Sequence, residues 1–429
     1  MLPSPSSAAQ KSIWGPTRLL DGSSAFPLYR DLGVDNLQMN LSWSAVAPSK
    51  PANPTDPADP AYRWPEGIDF ALAQARDHGI SVALLVTTAP GWANGGRTAE
   101  WAPNNPQDFA DFVTAASRRY PAVRIWMIWG EPNLDARFKP NVADDPTSAR
   151  TYAPILDAAY TALKSVSSSN TVVGGMTWSG GTVKPEPFLR AMQLPDGRPP
   201  RLDWFGHNPF PFRFPDIRQP ALPGGWRDIS DLETFEFEVR QVYAPLGLRP
   251  RLWLSEFTIQ SDHSSDAFNG FVSREEQAAW LTAAYDIANE VDAVEALGWF
   301  SLYDQRPESP QAANWGLIED TGERKPAFDA YLRAPSRRLR PAVRAPRRVR
   351  RKSFARRGLR VLVRPKSDGA VTIRLENRRG RVLRRARREA ADGEIARLRL
   401  KRRRLPRGRY RLEIDAARGE RVNRVLRVR

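Results

Sequence analysis

"GIDFALAQARDHGISVALLVTTAPGW" (residues 67–92) contains one complete helix-to-strand step. Its helical stretch, 67–79, stops on Gly79, the residue type that takes the left-handed conformation past a helix C-terminus. "SVALLVT" then runs as a short apolar β-rich strand over 81–87, and a loop follows. The same theme recurs on both sides. Strand-like runs fall at 13–16, 36–42, 81–87, 123–130, 171–177, 202–208, 251–257 and 294–301. Helical patterns fall at 25–33, 67–79, 106–119, 148–166, 185–193, 231–246, 274–290 and 326–333. In "REEQAAWLTAAYDIANEV" (274–291), Ala278, Leu281, Ala284 and Tyr285 repeat at helical spacing. Eight strand and helix pairs predict an α/β chain folded as a closed (β/α)₈ barrel over 12–334. An open doubly wound sheet is the alternative, but no Gly-rich phosphate loop follows the first strand.

Charge divides the chain a second time. The net charge is +17, yet residues 336–429 hold 36 Lys and Arg against 8 Asp and Glu, leaving 29 against 40 in residues 1–335. An acidic unit is therefore joined to a very basic one. "DAYLRAPSRRLRPAVRAPRRVRRK" (329–352) supplies the junction, with 335–352 read as a Pro- and Arg-rich linker. Beyond it, "GLRVLVRP", "AVTIRLEN", "EIARLRLK" and "GRYRLEID" alternate apolar and polar residues between short turns. That texture predicts a small antiparallel β-sandwich over 353–429. Its last stretch, "LPRGRYRLEIDAARGERVNRVLRV", resembles the closing hairpin of immunoglobulin-like accessory modules.

Several function classes are set aside by composition. The chain has no cysteine, and its three histidines, His78, His207 and His263, lack zinc-ligand spacing, so neither a metal nor any other cofactor is expected. No run reaches the ~20 apolar residues of a membrane span. "MLPSPSSAAQKSIWGP" (1–16) has no apolar leader core, although it reads like the stretch after a cleavage site. Residues 1–11 are expected to be disordered. The expectation is a secreted or cell-surface monomer, with a cytoplasmic one as the alternative.

Chemistry in such a barrel sits where strands end. "VRIWMIWGEPNL" (123–134) closes a buried run at Glu131, and "RLWLSEFTIQ" (251–260) closes another at Glu256. Side chains alternate along a strand, which predicts Glu131 on the face of Met127 and Trp129, and Glu256 on the face of Leu252 and Leu254. Two unpaired buried acids are costly, so their placement points to work done jointly. The plain alternative is that an acid pairs with Arg97 or Arg137. Paired carboxyls facing one cavity suit glycosidic cleavage, one giving a proton while the other attacks. Trp43, Trp92, Trp178 and Trp299 fall at or just after strand ends, where indole faces either stack on sugar rings or fill the core.

The "WGEPN" and "WLSEF" motifs resemble those of clan A glycoside hydrolases, particularly the cellulase-like and family 39-like enzymes common in actinobacteria. Further matches are "LSWSAVAP", "TTAPGWANG", "LGWFSLYD" and "NWGLIEDTGERKPAFDAY", so the likeness covers about 12–333. It implies a retaining hydrolase of a poly- or oligosaccharide, with Glu131 as general acid/base, Glu256 as nucleophile and Trp299 under the sugar. His207 in "DWFGHNPF" matches a histidine that contacts the substrate or the pair. Three positions depart from the pattern: Gly130 stands for an Asn, Gln38 for an Arg and Phe210 for a Tyr. Asn40, Asn133 and Asn208 are candidate replacements for the missing donor to the sugar 2-hydroxyl. If these departures mark lost catalysis, the chain is instead a non-catalytic carbohydrate-binding barrel.

For the basic module the expected partner is an anionic surface: a cell-wall phosphate polymer, acidic polysaccharide or lipid. Nucleic acid is the weaker alternative, because neither a recognition helix nor an aromatic RNA platform is evident. Compositional drift is a third reading, since the chain uses 56 Arg against 9 Lys.

Overall fold

The computed structural model describes residues 9–265, 270–305, 313–335, 342–346, 348–365, 369–377, 380–391, 394–401, 404–416 and 421–429. Two compact units result, one spanning Gln10–Arg30 and Val34–Phe328, the other built chiefly from Asp329–Arg429.

The first unit is a closed parallel barrel, as the repeating pattern predicts. Its strands are β1 (Gln10–Trp14), β2 (Asn36–Ser42), β3 (Ser81–Thr87), β4 (Ile125–Ile128), β5 (Thr171–Trp178), β6 (Trp204–Asn208), β7 (Arg251–Phe257) and β8 (Val294–Phe300). Each pairs with its sequence neighbours, and β8 closes onto β1. The main helices are α1 (Phe26–Asp31), α2 (Glu66–His78), α3 (Pro106–Arg119), α4 (Thr147–Val166), α5 (Pro185–Ala191), α6 (Leu232–Tyr243), α7 (Arg274–Glu290) and α8 (Pro326–Arg333). Gly79 does end α2 in the left-handed conformation, its N–H reaching the carbonyls of Ala75 and Arg76. Ser273 and Glu276 close a reciprocal cap on α7. The strand interior is filled by Trp14, Ala83, Leu85, Ile125, Met127, Val173, Met176, Trp253 and Ala296.

The first strand starts earlier than the expected 13–16. Its leading residues are polar but not solvated: Gln10 donates to Glu295, and Asn36 donates to Gln10 and Ser12. The expected disorder of 1–11 is corrected at Gln10 and Lys11, which lie in this strand, while residues 1–8 lie outside the described residues.

The second unit packs a three-stranded and a five-stranded sheet around Val361, Val363, Ile373, Leu375, Leu398, Leu412, Ile414 and Leu426. Its strands are β9 (Ala342–Arg344), β10 (Arg348–Val349), β11 (Leu359–Arg364), β12 (Gly369–Glu376), β13 (Val382–Ala390), β14 (Ala396–Leu400), β15 (Gly408–Asp415) and β16 (Arg421–Val428). The linker reading of 335–352 is corrected here. Strands β9 and β10 join the sheets, and a short helix, Arg351–Arg357, inserts Phe354 into the core. Residues 336–341 and 347 of that linker lie outside the described residues.

Candidate active site

Glu131 and Glu256 reach the barrel mouth by different backbone routes. Strand β4 stops at Ile128, and Trp129 and Glu131 both adopt left-handed φ values, 60° and 51°. Such residues cost about 1–3 kcal/mol each and persist only where surrounding structure fixes them. Here the Glu131 N–H is held by the Met176 carbonyl at 3.0 Å. Alternation therefore fails at this corner. Met127 points into the barrel, whereas Trp129 packs against Phe109 and Phe138 and donates to the Arg137 carbonyl.

On β7 the inward residues are Trp253 and Ser255, while Leu252 and Leu254 are wholly buried between them. Strict alternation would set Glu256 with those leucines, away from the interior, so the shared-face expectation is corrected. A register break intervenes: Leu297 pairs with Leu254, but Trp299 pairs with Phe257. The extra residue on β7 forms a bulge at Ser255-Glu256, a device that re-aims a side chain.

The two carboxyls sense each other. Burial pushes both above the usual carboxylate range, and the neighbouring Glu131 charge helps raise Glu256 to about 8. Their support is unequal. Glu131 accepts a hydrogen bond from Asn208 Nδ2 at 2.9 Å and lies 3.7 Å from Arg137 Nε. Among the described residues none donates a hydrogen bond to Glu256. The alternative that an acid pairs with Arg137 thus holds for Glu131, and Arg97 instead lies over Trp101 at 4.3 Å.

Asn208 is the helpful member of the three candidate amides. It is buried, its nitrogen is given to Glu131, and its oxygen has no protein partner among the described residues. Asn40 is exposed on the same strand face as Gln38. Asn133 is corrected from free donor to clamp, since it donates to the Trp178 and Val183 carbonyls and accepts from the Trp178 N–H. Gln38 is likewise spent inside the barrel. It donates to the Ser255 carbonyl and accepts from Trp253 and the Ser255 hydroxyl. Gly298 makes room for this crossing, because a Cβ there would collide with Ser255 and Gln38.

His207 is corrected to a brace. It is fully buried, one ring nitrogen facing Thr177 and the other 3.0 Å from the Arg227 carbonyl, and burial pushes it down to about 4. Phe210 is buried beside it in sequence and its ring carries no hydroxyl. Gly130 is not in the left-handed region; a Cβ there would meet Leu85 at 3.2 Å.

The tryptophans divide. Trp43 is corrected to core: Ser42 caps a one-turn helix that turns it against Trp92, Phe109 and Phe112. Trp299 is also fully buried and so is not an open sugar floor. The inward positions of β8 are Ala296, Gly298 and Phe300, one residue out of step with the expected one. Phe300 is half-buried and meets Trp14 and Trp315 edge-on. Trp92 is half-buried with its N–H given to the Ala47 carbonyl. Trp178 is half-buried at the end of β5, its ring sharing Gly180 with Trp226. Phe300 and Trp226 escaped sequence reasoning, and only Phe300 left a signal, through alternation counted from Gly298.

The module segregates its charge. Strands β9, β11 and β14 contain no acid, and their register sets Arg344 beside Leu362 and Arg397, with Arg360 beside Arg399. Arg344, Arg360, Arg397 and Arg399 are exposed. On the other sheet, Arg374 pairs with Glu413 and Asp415, and Arg387 with Glu389.

Among the described residues no acid or histidine cluster could hold a metal, and no helix is long and apolar enough to cross a membrane. No protein-family model and no curated protein matches the chain. Solved structures do share its fold. A family 39 glycoside hydrolase from Bacteroides cellulosilyticus WH2 superposes with a TM-score of 0.58 at 16% identity, covering 92% of this chain and 81% of its own. A glucosidase from Croceicoccus marinus gives 0.54 at 15%, covering 92% and 97%. A monomeric β-xylosidase from Caulobacter crescentus CB15 gives 0.53 at 14%, covering 92% and 94%. At these identities the likeness establishes the barrel architecture.

Proposed function

We propose that the chain is a retaining glycoside hydrolase of a poly- or oligosaccharide, with Glu131 as general acid/base and Glu256 as nucleophile. One observation carries the reading: two partly buried, mutually repelling carboxyls stand at the mouth on β4 and β7, each placed there by an irregular backbone. Burial and mutual repulsion oppose ionising both acids, and with Glu256 raised to about 8 the pair holds a proton near neutral pH. That is the stoichiometry a double displacement needs. In the first step the Glu256 carboxylate bonds to the anomeric carbon as the glycosidic C–O bond breaks, and Glu131 gives its proton to the leaving oxygen. In the second, Glu131 takes a proton from water, whose oxygen attacks the anomeric carbon and releases Glu256. Asn208, holding Glu131 with its nitrogen, offers its unpaired oxygen to a sugar hydroxyl. Folds resembling a family 39 hydrolase, a glucosidase and a β-xylosidase favour small pyranosides as first probes.

The test is hydrolysis of aryl β-glucosides and β-xylosides by the wild type, Glu131→Gln and Glu256→Gln. Glu131→Gln is expected to lose activity mainly on poor leaving groups, because a good one departs without a proton, whereas Glu256→Gln loses activity on all. Undiminished turnover by Glu256→Gln would overturn the assignment. Sugar binding with no turnover by the wild type would favour the non-catalytic barrel.

The acid-free outer face of β9, β11 and β14 supports attachment to an acidic polysaccharide, since neighbouring strands and alternate residues array its arginines about 5–7 Å apart. Acting there fits a secreted or surface location. Arg360→Ser with Arg397→Ser and Arg399→Ser is expected to abolish salt-sensitive retention on polygalacturonate. Equal loss on duplex DNA alone would point to nucleic acid instead.

A further inference from the structure

Arg137 stands apart from the other described cations of the loops that follow the barrel strands. Arg213 closes onto Asp228 and Asp231, Arg227 onto Glu238, and Lys139 onto Glu100. Lys325 closes onto Asp304, and Arg274 onto Asp262 and Glu319. Lys50, Arg97 and Lys184 lie over the rings of Trp92, Trp101 and Trp226. Arg137 alone among them faces the mouth pair. Its Nε is 3.7 Å from Glu131 Oε2, and its side chain is 58% exposed, so the contact is loose and the guanidinium keeps donors in hand. The backbone beneath it is not loose: its N–H reaches Leu134 and its carbonyl takes the Trp129 indole.

The interior offers the pair nothing equivalent. Gln38, which reaches the Ser255 carbonyl next to Glu256 in the chain, spends both ends of its amide on Trp253 and Ser255. Asn208 serves Glu131 only, and His207 is committed to Thr177 and Arg227. We infer that Arg137 is the positioning residue that governs the ionisation of the Glu131–Glu256 pair, because among the described residues of the loops that follow the barrel strands it is the cation that faces the pair, 3.7 Å from Glu131. The field of Arg137 opposes the upward push that burial gives each acid. Without it the second proton would stay on to higher pH, leaving the site neutral and without a nucleophile.

The inference rests on the two-carboxyl reading of the mouth, and its test is chosen to need no substrate. Glutamate side-chain carboxyls labelled with ¹³C are titrated by NMR in the whole chain, with Glu131→Gln and Glu256→Gln assigning the two signals. Arg137→Gln is expected to move both titrations upward by roughly half to one pH unit, a discounted effect because the cation is half-exposed. Arg137→Lys should recover most of that shift, and Arg97→Gln should move neither signal. Superimposable curves for wild type and Arg137→Gln overturn the inference, as does an Arg137→Lys shift equal to that of Arg137→Gln. A protein that shows the expected shift but hydrolyses no glycoside sinks the hydrolase reading and leaves the role of Arg137 standing.

Discussion

The ends of β4 and β7 look alike in sequence, each an apolar run closed by a glutamate, and the fold builds them differently. At β4 the chain turns through two left-handed residues and hands Glu131 an amide donor and a nearby guanidinium. At β7 a one-residue bulge swings Glu256 toward the same mouth with no donor among the described residues. An acid at a strand tip is therefore only half of a site. The groups that solvate it decide which carboxyl yields its proton first, and the protein's own donors favour the anion on Glu131. A bound sugar has to reverse that preference, by donating a hydroxyl to Glu256 and covering Glu131.

Removing either acid breaks the comparison outright and has the largest expected effect. Glu131→Gln should lower kcat on poor leaving groups by about 10²–10⁴-fold, and Glu256→Gln should lower it at least as far on every substrate tried, both read by steady-state assays.

Stability against pH probes the same asymmetry without a substrate. Glu256 has a folded-state value near 8 against the ordinary 4.5, so the folded chain binds the extra proton between those limits. Its contribution to stability then falls as pH rises through that window. Glu256→Gln should accordingly stabilise the barrel at pH 8.5 by an amount on the order of 3 kcal/mol and leave it nearly unchanged at pH 4. Denaturant melts at the two pH values measure this. His207 works in the opposite direction. Its value is depressed from 6.5 to about 4, so acid costs stability as pH falls through that range.

Asn208→Leu would sharpen the contrast by taking the donor from Glu131. A charge-assisted hydrogen bond of this kind is worth roughly 1.5–3 kcal/mol, which corresponds to a loss in kcat/KM of about tenfold or more and an upward move of the Glu131 titration. Gly130→Asn should have the smallest effect. The backbone there suits any residue and the obstacle is the end of the flexible Leu85 side chain, so a melting curve should register a change below about 1 kcal/mol.

How far the chain could be read in advance follows from these particulars. Strands β2, β3 and β7 and helices α3, α7 and α8 fall on their expected residues, because apolar runs there are closed off by turn and cap residues, even where β7 bulges. The start of strand β1 was placed three residues late, because Gln10 and Ser12 are polar yet accept from Asn36 inside the sheet. Strand β13, "VLRRARREA", escaped because most of its arginines are exposed and only Ala390 is fully buried. Both glutamates were legible as strand-end acids at the barrel mouth, yet the neighbours assigned to them fail at Trp129 and at Leu252 and Leu254, since a left-handed corner and a bulge are invisible to alternation. Trp299 was chosen for its type, although Phe300 holds the inward position. His207 and Asn133 were chosen as polar residues in a motif, and their hydrogen bonds turn out to tie the end of β5 to neighbouring loops. Arg137 was legible as a possible partner of an acid, and which acid it faces was set by the path of its loop.

The most direct test of the central claim is covalent trapping. The protein is incubated with 2-deoxy-2-fluoro-β-D-glucosyl and β-D-xylosyl fluorides, then digested and its peptides weighed. A retaining hydrolase with the assigned roles will carry one fluoroglycosyl group on Glu256, absent in Glu256→Gln and retained in Arg97→Gln. An adduct on Glu131, or none on a protein that turns over the matching aryl glycoside, would contradict it.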